Sequence, residues 1–136
     1  MMETLFRGKR MDNDEWIEGC YFYRDDEGAR WHYILPSDSN DAHLVDPNTV
    51  GQYTGIIVND ERIFEDDIIK LYSSYDFRFI VQFGEYDKRV GFTSFNGIGF
   101  YCERIGNDDF VVPLGTLWTS SMEKIGNIHD NSELLG

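Results

Sequence analysis

Acidic side chains form the cluster whose residue types and spacing best suit a chemical role. Glu65, Asp66 and Asp67 are consecutive, and Asp60 and Glu61 lie just before them. Because Mg²⁺ and Ca²⁺ prefer oxygen ligands, these carboxylates are the candidate divalent-metal site. They lack the alternating spacing of a calcium loop, and no histidine is near them in the sequence. We therefore interpret them first as a structural turn whose carboxylates accept hydrogen bonds from their own backbone.

A second candidate is a nucleic-acid-binding surface formed by basic residues. Lys70, Arg78, Lys88 and Arg89 lie among several aromatic residues, and proteins that bind single strands stack bases on aromatic rings beside basic side chains. However, the apolar residues of 77–83 alternate with polar ones, which is typical of the buried face of a strand. A core strand is the simpler interpretation, and nucleic-acid binding is the alternative.

The other motifs supply no catalytic group and no cofactor site. The three histidines and two cysteines are isolated, so the short spacings of zinc ligands are missing. Gly97-Ile98-Gly99 lacks the third glycine of a dinucleotide fingerprint, and no nucleophile elbow surrounds Ser120-Ser121. We expect a non-enzymatic protein without a cofactor. The remaining enzymatic alternative is a Mg²⁺-dependent hydrolase that uses Glu65–Asp67.

Composition and charge limit the classes of partner. The 136 residues include 25 acidic and 12 basic ones, which gives a net charge of −13. This charge repels phosphate backbones and anionic membranes, since nucleic-acid binding depends on Lys and Arg replacing counterions. No charged and apolar leader opens the chain, and no apolar run is long enough to span a membrane. Cys20 and Cys102 lie in aromatic runs, which predicts two buried free thiols.

The elements that must position these residues are strands. The chain contains 10 Phe, 8 Tyr and 3 Trp, and short apolar runs alternate with Gly, Asp and Asn clusters, which favours sheet. We predict a mainly β protein: a β-hairpin region over 1–50, and a domain over 51–136 with a small SH3-like barrel or β-sandwich at about 63–130. Arg24–Gly28 is predicted to be a hairpin turn, and Leu114–Trp118 a short helical turn.

Four segments of the sequence resemble one known family. Phe6–Arg10, Val45–Gly55, Ile63–Lys70 and Ile125–Leu135 are similar, in that order, to the motifs of the YopX family, small proteins of bacteriophages and integrated prophages. Asp66 stands where the family has glycine, so we expect Asp66 to adopt a positive φ angle, which aspartate tolerates better than most residues.

The resemblance implies a genomic setting and a fold rather than an activity. We expect a phage- or prophage-encoded protein in the cytoplasm of a bacterial host. It would act through protein–protein contacts, either with itself as a homo-oligomer or with a host or phage protein. A nucleic-acid-associated accessory factor of phage replication or gene expression is the alternative. Ile125–Leu135 is predicted to be a latch for the fold or the oligomer, in which Asn127 and Asn131 bond backbone groups at a corner.

Overall fold

A computed structural model describes residues 4–71, 77–90, 93–116 and 121–136 of the chain. In these residues the regular structure consists of antiparallel strands and short 3-10 turns. The predicted mainly β class is therefore confirmed. No helix in the described residues is long and apolar enough to cross a membrane.

Eleven strands in the described residues form two sheets. The first sheet has the order β4-β3-β2-β1-β5-β6 and the second has the order β10-β9-β8-β7-β11. The strands are β1 (Phe6–Lys9), β2 (Trp16–Asp26), β3 (Ala29–Leu35), β4 (His43–Leu44), β5 (Gly51–Val58), β6 (Glu61–Phe64), β7 (Asp67–Leu71), β8 (Arg78–Val90), β9 (Thr93–Arg104), β10 (Asn107–Pro113) and β11 (Met122–Asn127). The 3-10 turns are Pro47–Thr49, Leu114–Thr116 and Ser132–Leu135.

The chain divides into two compact units, Met1–Gly55 and Ile56–Gly136. In the first unit, β1 pairs with β2 on one side and with the start of β5 on the other. Its buried apolar side chains include Ile34 and Val45. Gly8 lies close to both of them, so a larger residue there would displace the core.

The β2–β3 hairpin turns more tightly than the sequence suggested. The predicted turn of three to five residues within Arg24–Gly28 is wrong in its length, because β2 runs to Asp26 and β3 begins at Ala29. Glu27 and Gly28 make the connection at φ angles of 49° and 80°, as in the two-residue turns that match the twist of a hairpin. The hairpin is therefore extended almost to its tip.

The second unit has its own apolar core. Its fully or nearly buried residues come from β5 to β9, from β10 and the 3-10 turn after it, and from β11. They are Val58, Ile63, Ile69, Phe79, Val81, Cys102, Val112, Leu114 and Met122. Alternation along β8 places Phe79 and Val81 in this core, as predicted, but leaves Phe83 half exposed.

The second sheet is open rather than closed into the predicted SH3-like barrel. β10 and β11 are the edges of the described sheet, with β10 paired to β9 and β11 paired to β7. Closure into a barrel would need the two edge strands to pair with each other. The predicted helical turn at Leu114–Trp118 is a 3-10 turn over Leu114–Thr116, and residues 117–118 lie outside the described part of the chain.

The two cysteines lie in different environments. Cys102 is buried, as predicted, whereas the prediction of a buried Cys20 is wrong. Gly19 takes the buried position of β2, against the backbone of Leu35 and Pro36. Because neighbouring residues of a strand face opposite sides, Cys20 faces solvent.

Candidate functional site

The acidic turn at Glu65–Asp67 is already occupied by bonds within the protein. Asp67 is fully buried at the start of β7, and its Oδ2 accepts a hydrogen bond of 2.7 Å from the backbone N–H of Phe64. The ammonium Nζ of Lys124, on the neighbouring strand β11, lies 3.3 Å from the same oxygen. Asp67 thus closes its own turn and neutralises a cation, as the turn interpretation requires.

Asp66 joins this turn to the C-terminal motif. Its φ angle is 75°, which confirms the expected positive value. Its backbone carbonyl accepts a 3.0 Å hydrogen bond from Ile128 N–H, and its own N–H donates to Val81. Its Oδ2 lies 3.1 Å from Nε2 of His129. One residue therefore contacts both β8 and the end of the chain.

Asn127 organises the corner after β11. Its Oδ1 accepts hydrogen bonds of 2.9 Å from the backbone N–H groups of both His129 and Asp130, and its Nδ2 donates to the Asp130 carboxylate. Its own N–H donates to Oδ1 of Asn131 at 3.1 Å. A Cβ on Gly126 would collide with that same amide. The predicted backbone bonding by Asn127 and Asn131 is thus confirmed, and we call residues 65–67 and 126–135 together the C-terminal latch.

The candidate metal ligands do not converge on a common point. Asp67 faces Lys124 and Asp66 faces His129, while Glu65 is half-buried beside them in sequence. Within the described residues, no three His, Cys, Asp or Glu side chains are placed to hold a metal ion. This geometry favours a structural role for the cluster.

The candidate nucleic-acid contacts are spread along a strand. Lys70 of β7 lies directly opposite Arg78 of β8, and Glu123 of β11 lies on the other side of Lys70. Lys88 is exposed ten residues further along β8, which is up to about 33 Å at the rise of a strand. The side chain of Arg89 lies outside the described part of the structure. Lys70, Arg78 and Lys88 therefore do not form one compact cluster.

The β8–β9 hairpin has two different faces beyond its base. On one face Tyr101 Oη donates a 3.0 Å hydrogen bond to Gln82 Oε1, and the rings of Tyr86 and Tyr101 lie 5.2 Å apart. Burial, aided by the charge of Glu103, raises the pKa of Tyr101, so its hydroxyl stays a donor. The Tyr86 ring also covers Gly97. Near its base, this face is packed around the hydrogen bond between Tyr101 and Gln82.

The opposite face is apolar and exposed. Phe83 pairs with Phe100 across the strands, with their rings edge to face at 4.9 Å, and Ile98 follows on β9 opposite Glu85. Ile98 is 79% exposed and Phe83 50% exposed. We call Phe83, Ile98 and Phe100 the hairpin patch. Sequence reasoning missed it because Phe83 continues the core alternation of β8, although an isolated isoleucine between two glycines was a visible signal.

Comparison with known proteins identifies one family. The family model described as YopX protein matches residues 5–136. No curated protein matches the chain.

Proposed function

Because the chain belongs to the YopX family over nearly its whole length, we propose that it is a non-catalytic, phage- or prophage-encoded protein that forms a homo-oligomer in the host cytoplasm. The hairpin patch is the observation that carries this proposal. In this proposal, the hairpin patch of one copy binds the hairpin patch of a second copy.

The exposure of the hairpin patch is the first argument. Fully burying an isoleucine or phenylalanine side chain is worth about 1.5–3 kcal/mol, yet Ile98 and Phe83 are largely in water. A two-stranded ribbon is marginally stable by itself. Phe95 and Phe100 pack against the core and hold the hairpin in place, so the patch is presented on an anchored support.

Self-complementarity is the second argument. A two-fold interface brings the same surface of both copies together, which apolar side chains tolerate and like charges do not. The net charge of −13, which includes the exposed Glu85 opposite Ile98, opposes close approach of two copies. The patch combines one aliphatic and two aromatic side chains, and aromatic rings are enriched at the centres of interfaces. Association should therefore strengthen when salt screens the repulsion.

We propose a non-catalytic protein because the family motifs form structural contacts. In the described residues, the acidic cluster and Asn127 form hydrogen bonds and an ion pair within the protein. These are the bonds of a structural corner. The proposal assigns the motif to folding and the hairpin patch to contact.

Size-exclusion chromatography with light scattering at micromolar concentration tests this proposal. We expect the wild-type protein to be a dimer or larger, and Ile98→Asp to be a monomer. An isologous interface contains the residue twice, so we expect the dissociation constant to rise by about a hundredfold or more.

Ile57→Asp is the matched control, because Ile57 is 55% exposed on β5 and the charge change is the same. The control should assemble like the wild type. A wild-type monomer, or equal assembly of both variants, would overturn the proposal.

A further inference from the structure

One edge of the first sheet is only partly covered. β4 is two residues long, and it pairs with Tyr33 and Ile34 of β3. The next bond on this side is a 2.9 Å hydrogen bond from Val45 N–H to His32 carbonyl. Within the described residues, no strand pairs with Ala29–Trp31 on this edge.

The backbone direction at this edge follows from the hydrogen bond to His32. In an antiparallel strand, the N–H and C=O of one residue point to the same side, and consecutive residues alternate. Since the His32 carbonyl points toward β4, the N–H and C=O of Arg30 point the same way. They form the open end of the ladder that β4 begins.

After Val45 the chain leaves the edge of β3 because it bonds to Lys9 and Arg10. After Val45, the N–H of Asp46 donates a 2.9 Å hydrogen bond to the carbonyl of Lys9, and Arg10 makes an antiparallel bridge with Val45. These bonds direct residues 45–46 toward the end of β1 and away from β3, and Pro47 begins a 3-10 turn. A cavity therefore lies beside Arg30 and Trp31, where β4 would lie if it continued.

That cavity has a volume of about 190 Å³ and is mainly apolar. Met11, Leu44, Val45 and Pro47 line it together with the edge residues from Arg30 to His32. Met11 is 57% exposed and Trp31 45% exposed. The size and the apolar lining of the cavity suit one aliphatic side chain.

Trp31 also lines a larger groove, of about 330 Å³, on the β2–β3 hairpin. Tyr33, Asp26 and Glu27 line this groove, with Arg24 as its cation. The other arginine of the hairpin tip, Arg30, is paired with Asp25 at 2.8 Å. Two carboxylates beside two aromatic rings favour a cationic side chain, which gains both ion pairing and cation–π contact.

We propose that the edge of β3 at Ala29–His32 binds an extended segment of a partner protein by strand addition. The segment alternates apolar and basic residues. Its backbone pairs with Arg30, one apolar side chain enters the cavity beside Met11 and Leu44, and a basic side chain enters the groove beside Asp26 and Glu27. The charge agrees: residues 1–55 contain 11 Asp and Glu against 5 Lys and Arg.

The probe is a synthetic eight-residue peptide in which valine alternates with lysine, titrated into the full-length protein by isothermal titration calorimetry. We expect saturable one-to-one binding per chain. A peptide of alternating valine and glutamate should not bind, because its carboxylates meet those of the groove.

Backbone methylation separates strand addition from simple charge attraction. Along a strand, the amides that face β3 belong either to the valines or to the lysines. Two peptides, N-methylated on one set or on the other, keep the same charge. One should bind about tenfold more weakly or not at all, and the other should bind like the parent peptide. Equal binding of the two methylated peptides would overturn the proposal.

Variants of the protein locate the site. Met11→Lys places a cation at the mouth of the apolar cavity and should weaken the valine–lysine peptide at least tenfold. Asn40→Lys is the matched control, an exposed loop residue of the same unit, and should change binding by about twofold or less.

Trp31→Ala removes the ring shared by the cavity and the groove, and should also weaken binding. Circular dichroism verifies that each variant is folded. No binding of the parent peptide, or equal binding by Met11→Lys and Asn40→Lys, would show that the edge is not the site. These outcomes are independent of Ile98→Asp and of the oligomer.

Discussion

The C-terminal latch and the hairpin patch lie in the same unit and use their residues in opposite ways. The latch uses polar groups that bond within the protein: Asn127 Oδ1 accepts from two backbone N–H groups, and the backbone of Asp66 bonds Val81 and Ile128. The hairpin patch presents Ile98 and Phe83 to solvent, with Phe100 half-buried beside them. The family motif coincides with the latch and not with the patch. In this chain the family motif therefore marks geometry that the fold keeps, and the contact surface that we propose lies outside the motif.

Among the variants that test this contrast, Asp67→Ala is expected to lower the free energy of unfolding most. It removes a buried carboxylate that holds both Phe64 N–H and Lys124 Nζ, and breaking such a pair costs about 3–5 kcal/mol. Calorimetric unfolding should show this loss in the free energy of unfolding. Asp87→Ala, at an exposed carboxylate of β8, should change it by less than about 0.5 kcal/mol. Similar losses for both would remove the distinction.

Asn127→Ala should have the second largest effect. The change leaves the backbone N–H groups of His129 and Asp130 without their acceptor, and we expect a loss of about 2 kcal/mol. Asn96→Ala removes the same amide from an exposed position of β9 and serves as the control. If chemical denaturation gives the two variants equal stability, the latch does not hold the fold.

The thiol of Cys102 should make stability fall at alkaline pH. Burial raises the pKa of Cys102 from 9.0 to about 12. Its contribution is therefore complete below pH 9, where the thiol is protonated in both states, and is lost as the unfolded thiol ionises between about pH 9 and 12.

From pH 9 to 10 this loss is about 1 kcal/mol. It is measured as the difference in pH dependence between the wild type and Cys102→Ala. Cys20→Ala, which removes the exposed thiol, is the control variant. A pH dependence unaltered in Cys102→Ala would contradict the prediction.

Ile98→Ser should have the smallest effect on the stability of the single chain. At 79% exposure the side chain loses little apolar burial, so dilute protein should be destabilised by less than about 0.5 kcal/mol. Ile69→Ala, in the core, should cost about 2–5 kcal/mol. A large loss for Ile98→Ser in dilute monomer would mean that the patch belongs to the fold and not to an interface.

The turn at Asp66 and the corner at Asn127 could be predicted from the sequence because they depend on neighbouring residues, whereas the contact of Asp66 with His129 joins residues 63 positions apart. Asp66 accepts the positive φ angle of a family glycine, and Asn127 bonds groups two and three residues away. Residue types and spacing are sufficient information for such contacts. The prediction of a mainly β chain rested on similarly local alternation.

The long hairpin and the β3 edge could not be predicted, because they depend on pairing between distant segments. Gly84 and Gly99 lie opposite each other within one ladder from Phe79 to Arg104, although glycine is depleted in strands. The edge of β3 is open because Asp46 bonds Lys9, a residue 37 positions away. Nothing in either segment alone specifies that choice.

Two facing glycines mark the point at which the β8–β9 hairpin bends. Gly84 and Gly99 adopt φ angles of 153° and 150°, in a region that other residues avoid, and neither contributes a side chain to stiffen the ribbon. Bending is therefore concentrated at one point, between the base that carries Cys102 and the outer half that carries Ile98. In the homo-oligomer that we propose, this pair of glycines would set the angle at which Ile98 meets a second copy.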